Sequence, residues 1–407
     1  MRKTSTSYQR PHRPGVIRAA NRLLQSMPAV RANLEFESLV REAEKRSGER
    51  WSVAVEDVEA PLEALLRSIE QESQLHPIGR FITRQRIVST LANRLRVEAA
   101  SAQLPTGTQA LSPIVIVGLP RTGTTLLHRL LASDPRVRSL TSWEALTPAR
   151  LKNDPDDTAR IRIAERSESA LAFLAPDFFA VHPIDAHAPE EDVLLLDLSF
   201  RSTVAESTLR VPSFSRWLEG QDQLPAYRIL EKGLCVMQQQ RPQSRKTHWV
   251  LKTPHHLEWL DVLLEVFPTA TFVWTHRDLN DVVPSFCSML SHARGVFSDV
   301  VDANEIGRSW LRKGARMMER GLEVRAKRED RFVDIHYADL VADPIAQVKR
   351  IHAHAGLAWH REAEDCVKDR LTTQKKDRFG AHVYRLADFG LQPSDLTAAF
   401  GTHVRQG

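Results

Sequence analysis

Gly118-Leu119-Pro120-Arg121-Thr122-Gly123-Thr124-Thr125 stands between a β-branched run, Ile114-Val115-Ile116-Val117, and apolar residues at Leu126, Leu127, Leu130 and Leu131. The pattern predicts strand, tight loop and helix. Backbone N–H groups at a helix start, backed by the helix dipole, stabilise an anion. Gly118 and Gly123 permit close backbone approach, and Thr122, Thr124 and Thr125 add hydroxyl donors. Arg121 adds a planar cationic fork suited to phosphate or sulfate. A nucleoside-triphosphate loop would carry lysine immediately before its Ser/Thr; here that place is Thr124. The bland alternative is an incidental Gly/Thr-rich turn.

Two further cationic positions follow. Lys252 ends the run "THWVLKTP", and Arg277 leaves "TATFVWTHR", with Ser285 eight residues on in "DLNDVVPSFCSML". Arg277 and a hydroxyl one or two helical turns along can hold a second phosphate, unless the arginine simply pairs with Asp278 or Asp281. Pro284 is expected near the start of its helix, where a missing N–H costs little. Phosphoryl transfer generally uses Mg²⁺ held by an aspartate at a strand end. The strand ends here are cationic, and Asp334 lies inside its strand pattern, so a site without metal is expected.

A base for an acceptor hydroxyl must lie within hydrogen-bond reach of it. Glu144 in "LTSWEALTP" is one candidate, with a helix-cap or ion-pair role as its alternative. The other is "HPIDAHAPEEDVLLLDLSF", which gathers His182, His187, Glu190 and Glu191. Its alternative is an acidic helix start after Pro189.

These residues need elements to hold them. Residues 16 to about 100 read as helices, with Phe81, Ile82, Ile87, Leu91 and Leu95 at helical spacing in the last of them. From 113 onward strands alternate with helices: Ile114 to Val117, "THWVLKTP", "TATFVWTHR" and "RFVDIHYADL", the last followed by a helix opening at Asp343-Pro344. Such alternation implies βαβ units and a mostly parallel sheet, whose ligands sit beyond the strands' carboxyl ends. The expected fold is α/β, a three-layer P-loop-like architecture with a helical N-terminal subdomain. The divisions are 1–15, a flexible basic tail; 16–110, helices and connector; and 111–407, the P-loop-like domain.

The bulk composition agrees with a globular chain of 407 residues, 42% hydrophobic and 26% charged. The formal charge of +5 is spread over 56 basic and 51 acidic residues. No aromatic-basic stripe marks a nucleic-acid binder. The three cysteines, Cys235, Cys287 and Cys366, have no disulfide or metal spacing and suit a reducing compartment. No apolar run reaches the roughly 20 residues of a membrane span, so a soluble cytoplasmic protein is expected. Oligomeric state is not legible.

Together, "GLPRTGTTLLHRLLASDP", "LKTPHHLEWLDVLLEVFPTATFVWTHRDLNDVVPSF" and "YADLVADPIAQVKRIHAHAGL" resemble the P-loop-like sulfotransferases that use 3′-phosphoadenosine 5′-phosphosulfate (PAPS). The likeness is to a bacterial small-molecule branch with similarity to tyrosylprotein sulfotransferases, and it covers about 111 to 404. The resemblance implies sulfuryl transfer to a hydroxyl of a small or lipid-like acceptor, leaving 3′,5′-bisphosphoadenosine. It assigns Pro120, Arg121, Thr122, Gly123, Thr124 and Thr125 to the donor's 5′-phosphosulfate, with Arg121 near the transferring group. Arg277 and Ser285 match the family's pair for the 3′-phosphate, and Lys252 a lysine that offsets charge on the bridging oxygen. Arg378 and Gly380 are the nearest matches to an element closing over the 3′-phosphate. Glu144 corresponds to the tyrosylprotein branch's glutamate base, about two residues further from the loop, with His187 in reserve. The rivals are a small-molecule P-loop kinase, predicting Mg²⁺ and ATP dependence, and a catalytically silent protein of the same fold. Phe173, Phe178, Phe179, Phe214 and Trp217 are candidate walls for an apolar acceptor.

Overall fold

Alternate residues of the first strand serve different cores. Val115 and Val117 belong to one buried apolar cluster and Ile114 and Ile116 to another, as the two-residue period of a strand dictates. The structure, a computed structural model, describes residues 13–27, 31–105, 111–182, 184–241, 248–373 and 384–405. Its sheet contains β1 (Ile114–Val117), β2 (Val137–Ser139), β3 (His248–Lys252), β4 (Thr271–His276) and β5 (Phe332–His336). All pairings are parallel, in the order β2-β3-β1-β4-β5. Trp249 and Leu251 join Val115 on one face, and Val250 joins Ile116 on the other. Both faces are therefore covered, the condition under which parallel strands read as continuous apolar runs. The fold is three-layer α/β, as the alternation of elements implies.

Register brings the informative positions to one rim. Ile116 lies opposite Lys252 and Val273, and Val117 opposite Trp274. The loop after Val117, the side chain of Lys252 and the residue after His276 thus leave the same edge of the sheet. β1 is central, and the chain continues from it to strands on both sides. A crevice at the carboxyl ends is the consequence of such an order.

The four longer strands fall where the apolar runs indicate. β2 is a three-residue edge strand without a run of its own. Asp334 sits within β5, held by Arg325 through two bonds of 2.6 and 2.5 Å and by His276 at 2.6 Å. These partners hold its carboxyl far below the usual range, burial opposing them.

The helical expectation for the N-terminal part is met by Gly15–Gln25, Phe36–Ser47, Glu59–Glu72 and Pro77–Ser101. The apolar faces of the last three close on Leu39, Leu62 and Leu91. The same core takes in Phe200, Phe214 and Leu218 from far along the chain, and Phe297. Of the basic segment at 1–15, residues 1–12 lie outside the described residues. Arg13 is buried and donates to the Ser298 carbonyl at 2.6 Å, with Asp299 and the Gly295 carbonyl as further partners.

One local expectation is corrected. Pro284 lies inside the helix Leu279–Phe297, more than a turn beyond its N-cap Asp278. A proline there deprives the Asn280 carbonyl of its helical partner. Asp278 accepts from the Asn280 amide, starting the helix directly after Arg277.

Candidate active site

The loop owes its shape to two glycines and one strained arginine. Gly118 has φ 138° and Gly123 φ 93°. A Cβ on Gly118 would lie 2.5 Å from Thr275 Oγ1, and one on Gly123 2.7 Å from the Tyr337 ring. Arg121 has φ 73°, which costs a non-glycine residue about 1 kcal/mol. The surrounding contacts hold it there. Its Nε donates to Ser285 Oγ at 3.1 Å, and its carbonyl accepts from Arg277 at 3.3 Å.

The threonines divide the work. Thr122 turns inward, donating to the Leu119 carbonyl at 2.7 Å and lying 2.6 Å from Thr275 Oγ1. Its hydroxyl shapes the loop, leaving only its amide for an anion. Thr124 and Thr125 open the helix Thr124–Leu131, Thr125 exposed, and no side chain caps its N-terminus. Amide donors and the positive end of the helix dipole therefore face the rim, an arrangement that suits a tetrahedral anion.

Lys252 is only 4% exposed. Its Nζ lies 2.5 Å from Glu191 Oε1, and its backbone amide donates to Asp192 Oδ1 at 2.7 Å. The other Asp192 oxygen lies 2.6 Å from His256 Nε2, and His256 Nδ1 lies 3.0 Å from the Tyr227 hydroxyl. This buried chain locks the end of β3 to the segment before the helix Val193–Leu196. Contacts with His256 and the Lys252 amide hold the Asp192 carboxyl low, although burial pushes it up. Burial, and then the Lys252 charge, pull His128 down to about 3, so its imidazole is neutral. The acidic run thus does more than open a helix, and no side chain caps that helix.

At the other end of the rim, Arg277 stacks 4.4 Å over the Tyr337 ring, the ring that also abuts Gly123. It pairs with Asp281 at 3.4 Å, the partner that the sequence offered as the simpler explanation. Ser285, 3% exposed, receives Arg121 and so ties the loop to the helix after β4. Tyr384 stands within electrostatic reach of Arg121. Arg378 and Gly380 lie outside the described residues.

The base candidates part company. Glu144 is 2% exposed and forms a capping box: its Oε2 accepts from the Thr141 amide at 3.1 Å and the Thr141 hydroxyl at 2.9 Å. Its Oε1 faces Arg138 at 3.2 Å and Arg241 at 3.6 Å. None of these partners belongs to the loop or the strand-end cations. The Thr-Ser-Trp-Glu spacing is itself a capping-box signature. His187 is exposed and lies 3.5 Å from Glu165. In contrast, His182 lies within electrostatic reach of Glu190, Glu191, Lys252 and Arg121, with burial pulling its titration down. The Glu190 amide donates to the Leu140 carbonyl at 2.8 Å, pinning this segment beside β2. In the sequence Glu191 stands out only as one of a cluster, and Asp192 does not stand out. The signal was there: three carboxylates in a row, Glu190, Glu191 and Asp192, directly before the apolar turn Val193–Leu196.

The aromatic candidates also separate. Phe214 is buried in the N-terminal core, stacked on Trp217 at 6.0 Å, and Phe173 is exposed. Phe178 and Phe179 are half-buried on the short helix Pro176–Val181, which packs against Leu279–Phe297 and leads to His182. Among the described residues no group of three or more His, Cys, Asp or Glu is arranged to hold a metal ion. Nor, among the described residues, is any helix long and apolar enough to cross a membrane.

A family model described as Sulfotransferase family matches residues 113–361. Sulfotransferase STF1 from Mycobacterium tuberculosis H37Rv is 30% identical, with a TM-score of 0.79 over 90% of this chain and 98% of that one. Sulfotransferase STF9 from Mycobacterium avium, 24% identical with a TM-score of 0.77, covers 90% of this chain and shares the fold. The omega-hydroxy-beta-dihydromenaquinone-9 sulfotransferase Stf3 of Mycobacterium bovis is 30% identical over 257 residues, 60% of this chain. That match spans 63% of the length of the Mycobacterium bovis protein.

Proposed function

The chain belongs to the sulfotransferase family, and from that premise we propose that it transfers a sulfuryl group from PAPS to the hydroxyl of a lipid-like acceptor. The observation that carries this reading is the bond from Arg121 Nε to Ser285 Oγ, 3.1 Å long. It joins the anion loop to the helix that follows Arg277, which supports a site for two anionic groups of one nucleotide. When bound, the donor supplies an activated sulfuryl group. The loop from Pro120 to Thr125, through the amides of Arg121 to Thr125, holds its 5′ end, and Arg277 with Ser285 hold the 3′-phosphate. Lys252, fixed at the end of β3, neutralises charge gathering on the leaving oxygen. Preorganised cations of this sort are usually the largest contribution to such rates.

The acceptor reading rests on two supports. The relative from Mycobacterium bovis is named for a hydroxylated menaquinone. In this chain, the half-buried Phe178 and Phe179 lead toward the cluster around Lys252. The three cysteines are free thiols, which supports work in a reducing compartment such as the cytoplasm. No observation favours the kinase alternative.

Calorimetric titration with 3′,5′-bisphosphoadenosine, 5′-AMP and Mg-ATP tests the reading, with Arg277→Ala in parallel. Micromolar binding of the bisphosphate without added metal, weak binding of AMP, and loss in the variant are expected. Equal affinity for AMP and the bisphosphate would remove the PAPS assignment.

A further inference from the structure

Lys252 has one charge partner among the described residues, and so has Glu191. The ammonium and the carboxylate lie 2.5 Å apart, with side chains 5% and 25% exposed. An ammonium buried to this degree cannot stand alone, because desolvation without a partner costs several kcal/mol. In the free protein Glu191 supplies the counter-charge. On the donor reading above, the donor's anionic phosphosulfate offers Lys252 a second partner, and Glu191 is then displaced.

We infer that Glu191 is the base for the acceptor hydroxyl and that Lys252 holds it inactive until the donor binds. The backbone on either side is fixed. The Asp192 carboxylate grips the Lys252 amide, and the Glu191 amide donates to Glu190 Oε1 at 2.9 Å. Only the Glu191 side chain has to turn, and its second oxygen has no partner among the described residues. Glu144 lacks that freedom, since both of its oxygens are occupied away from the loop and the strand-end cations.

The step balances within these residues. The acceptor oxygen forms its bond to sulfur as the bond between sulfur and the bridging oxygen breaks. The hydroxyl proton passes to Glu191, and the electron pair of the broken bond stays on the phosphate oxygen facing Lys252. Since Lys252 is the partner of both, base activation and donor binding are one event. The acceptor is then productive only after the donor.

The test compares wild type, Glu191→Gln, Glu191→Asp and His182→Gln. Binding of 3′,5′-bisphosphoadenosine is measured by calorimetry. Turnover of PAPS is measured with farnesol as a model prenyl alcohol, or as bisphosphate release to water if farnesol is not used. Glu191→Gln is expected to bind the bisphosphate about tenfold more tightly, since no carboxylate competes for Lys252, yet to lose at least 100-fold in turnover. Glu191→Asp should keep part of the turnover. A purely structural ion pair would give unchanged or weaker binding, and that result overturns the inference. So does near-normal turnover in Glu191→Gln, or a loss confined to His182→Gln. If wild type itself fails to bind the bisphosphate, the donor reading is what falls.

Discussion

Arg121 donates from Nε to the hydroxyl of Ser285, 164 residues along the chain, at 3.1 Å. The residue assigned to the transferring group and the residue assigned to the second phosphate are therefore in contact. The loop after β1 and the helix after β4 are tied together, and Arg277 reinforces the tie by reaching the Arg121 carbonyl.

Ser285→Ala should weaken 3′,5′-bisphosphoadenosine by about ten- to a hundredfold, since hydrogen bonds to charged groups contribute about 1.5–3 kcal/mol. Binding of 5′-AMP should change little. Parallel titrations decide the matter, and an equal loss for both nucleotides would place Ser285 in loop support alone.

Lys252→Ala should reduce turnover by 100-fold or more while bisphosphate affinity shifts by less than tenfold, because its charge matters most as the leaving oxygen develops negative charge. Single-turnover rates beside calorimetry separate the two quantities. Near-normal turnover would refute the role given to Lys252.

Glu144→Gln is expected to act on stability. It breaks a buried pair with Arg138 whose side chains are 4% and 3% exposed, a loss of about 3 kcal/mol, with turnover lowered by less than threefold. Urea unfolding and steady-state rates measured together check this. An intact midpoint with a hundredfold fall in rate would restore Glu144 as the base.

Acid should destabilise the protein before its carboxylates protonate. Burial pulls His76 down to about 4, with Nδ1 accepting from the Gly79 amide at 2.8 Å, and pulls His128 to about 3. Their unfolded value is 6.5. Between pH 6.5 and 4 the unfolded chain binds protons that the folded one refuses. Stability is then full above pH 6.5 and falls with acid by up to about 1.4 kcal/mol per pH unit for each histidine. Denaturation at pH 7.5, 6 and 5 measures the slope, and His76→Asn should flatten it. A stability unchanged down to pH 5 would contradict the assignment of both imidazoles as neutral.

The amino-acid sequence already encodes the local backbone. Ile114 to Val117, the glycines of the loop and the apolar spacing of Leu127, Leu130 and Leu131 specify strand, turn and helix through neighbours a few residues apart. It likewise placed Lys252 and Arg277 at strand ends, because a strand's apolar run stops where its charge begins. The tertiary structure decided which of these meet. Lys252 finds Glu191 across 61 residues and Arg121 finds Ser285 across 164, pairings that depend on strand order and register. The sheet order also allows a three-residue β2 to exist beside β3 without an apolar run of its own. Glu144 shows both levels at once. Its spacing from Thr141 encoded the cap, but only packing against Arg138 and Arg241 occupied the oxygen that a base would need.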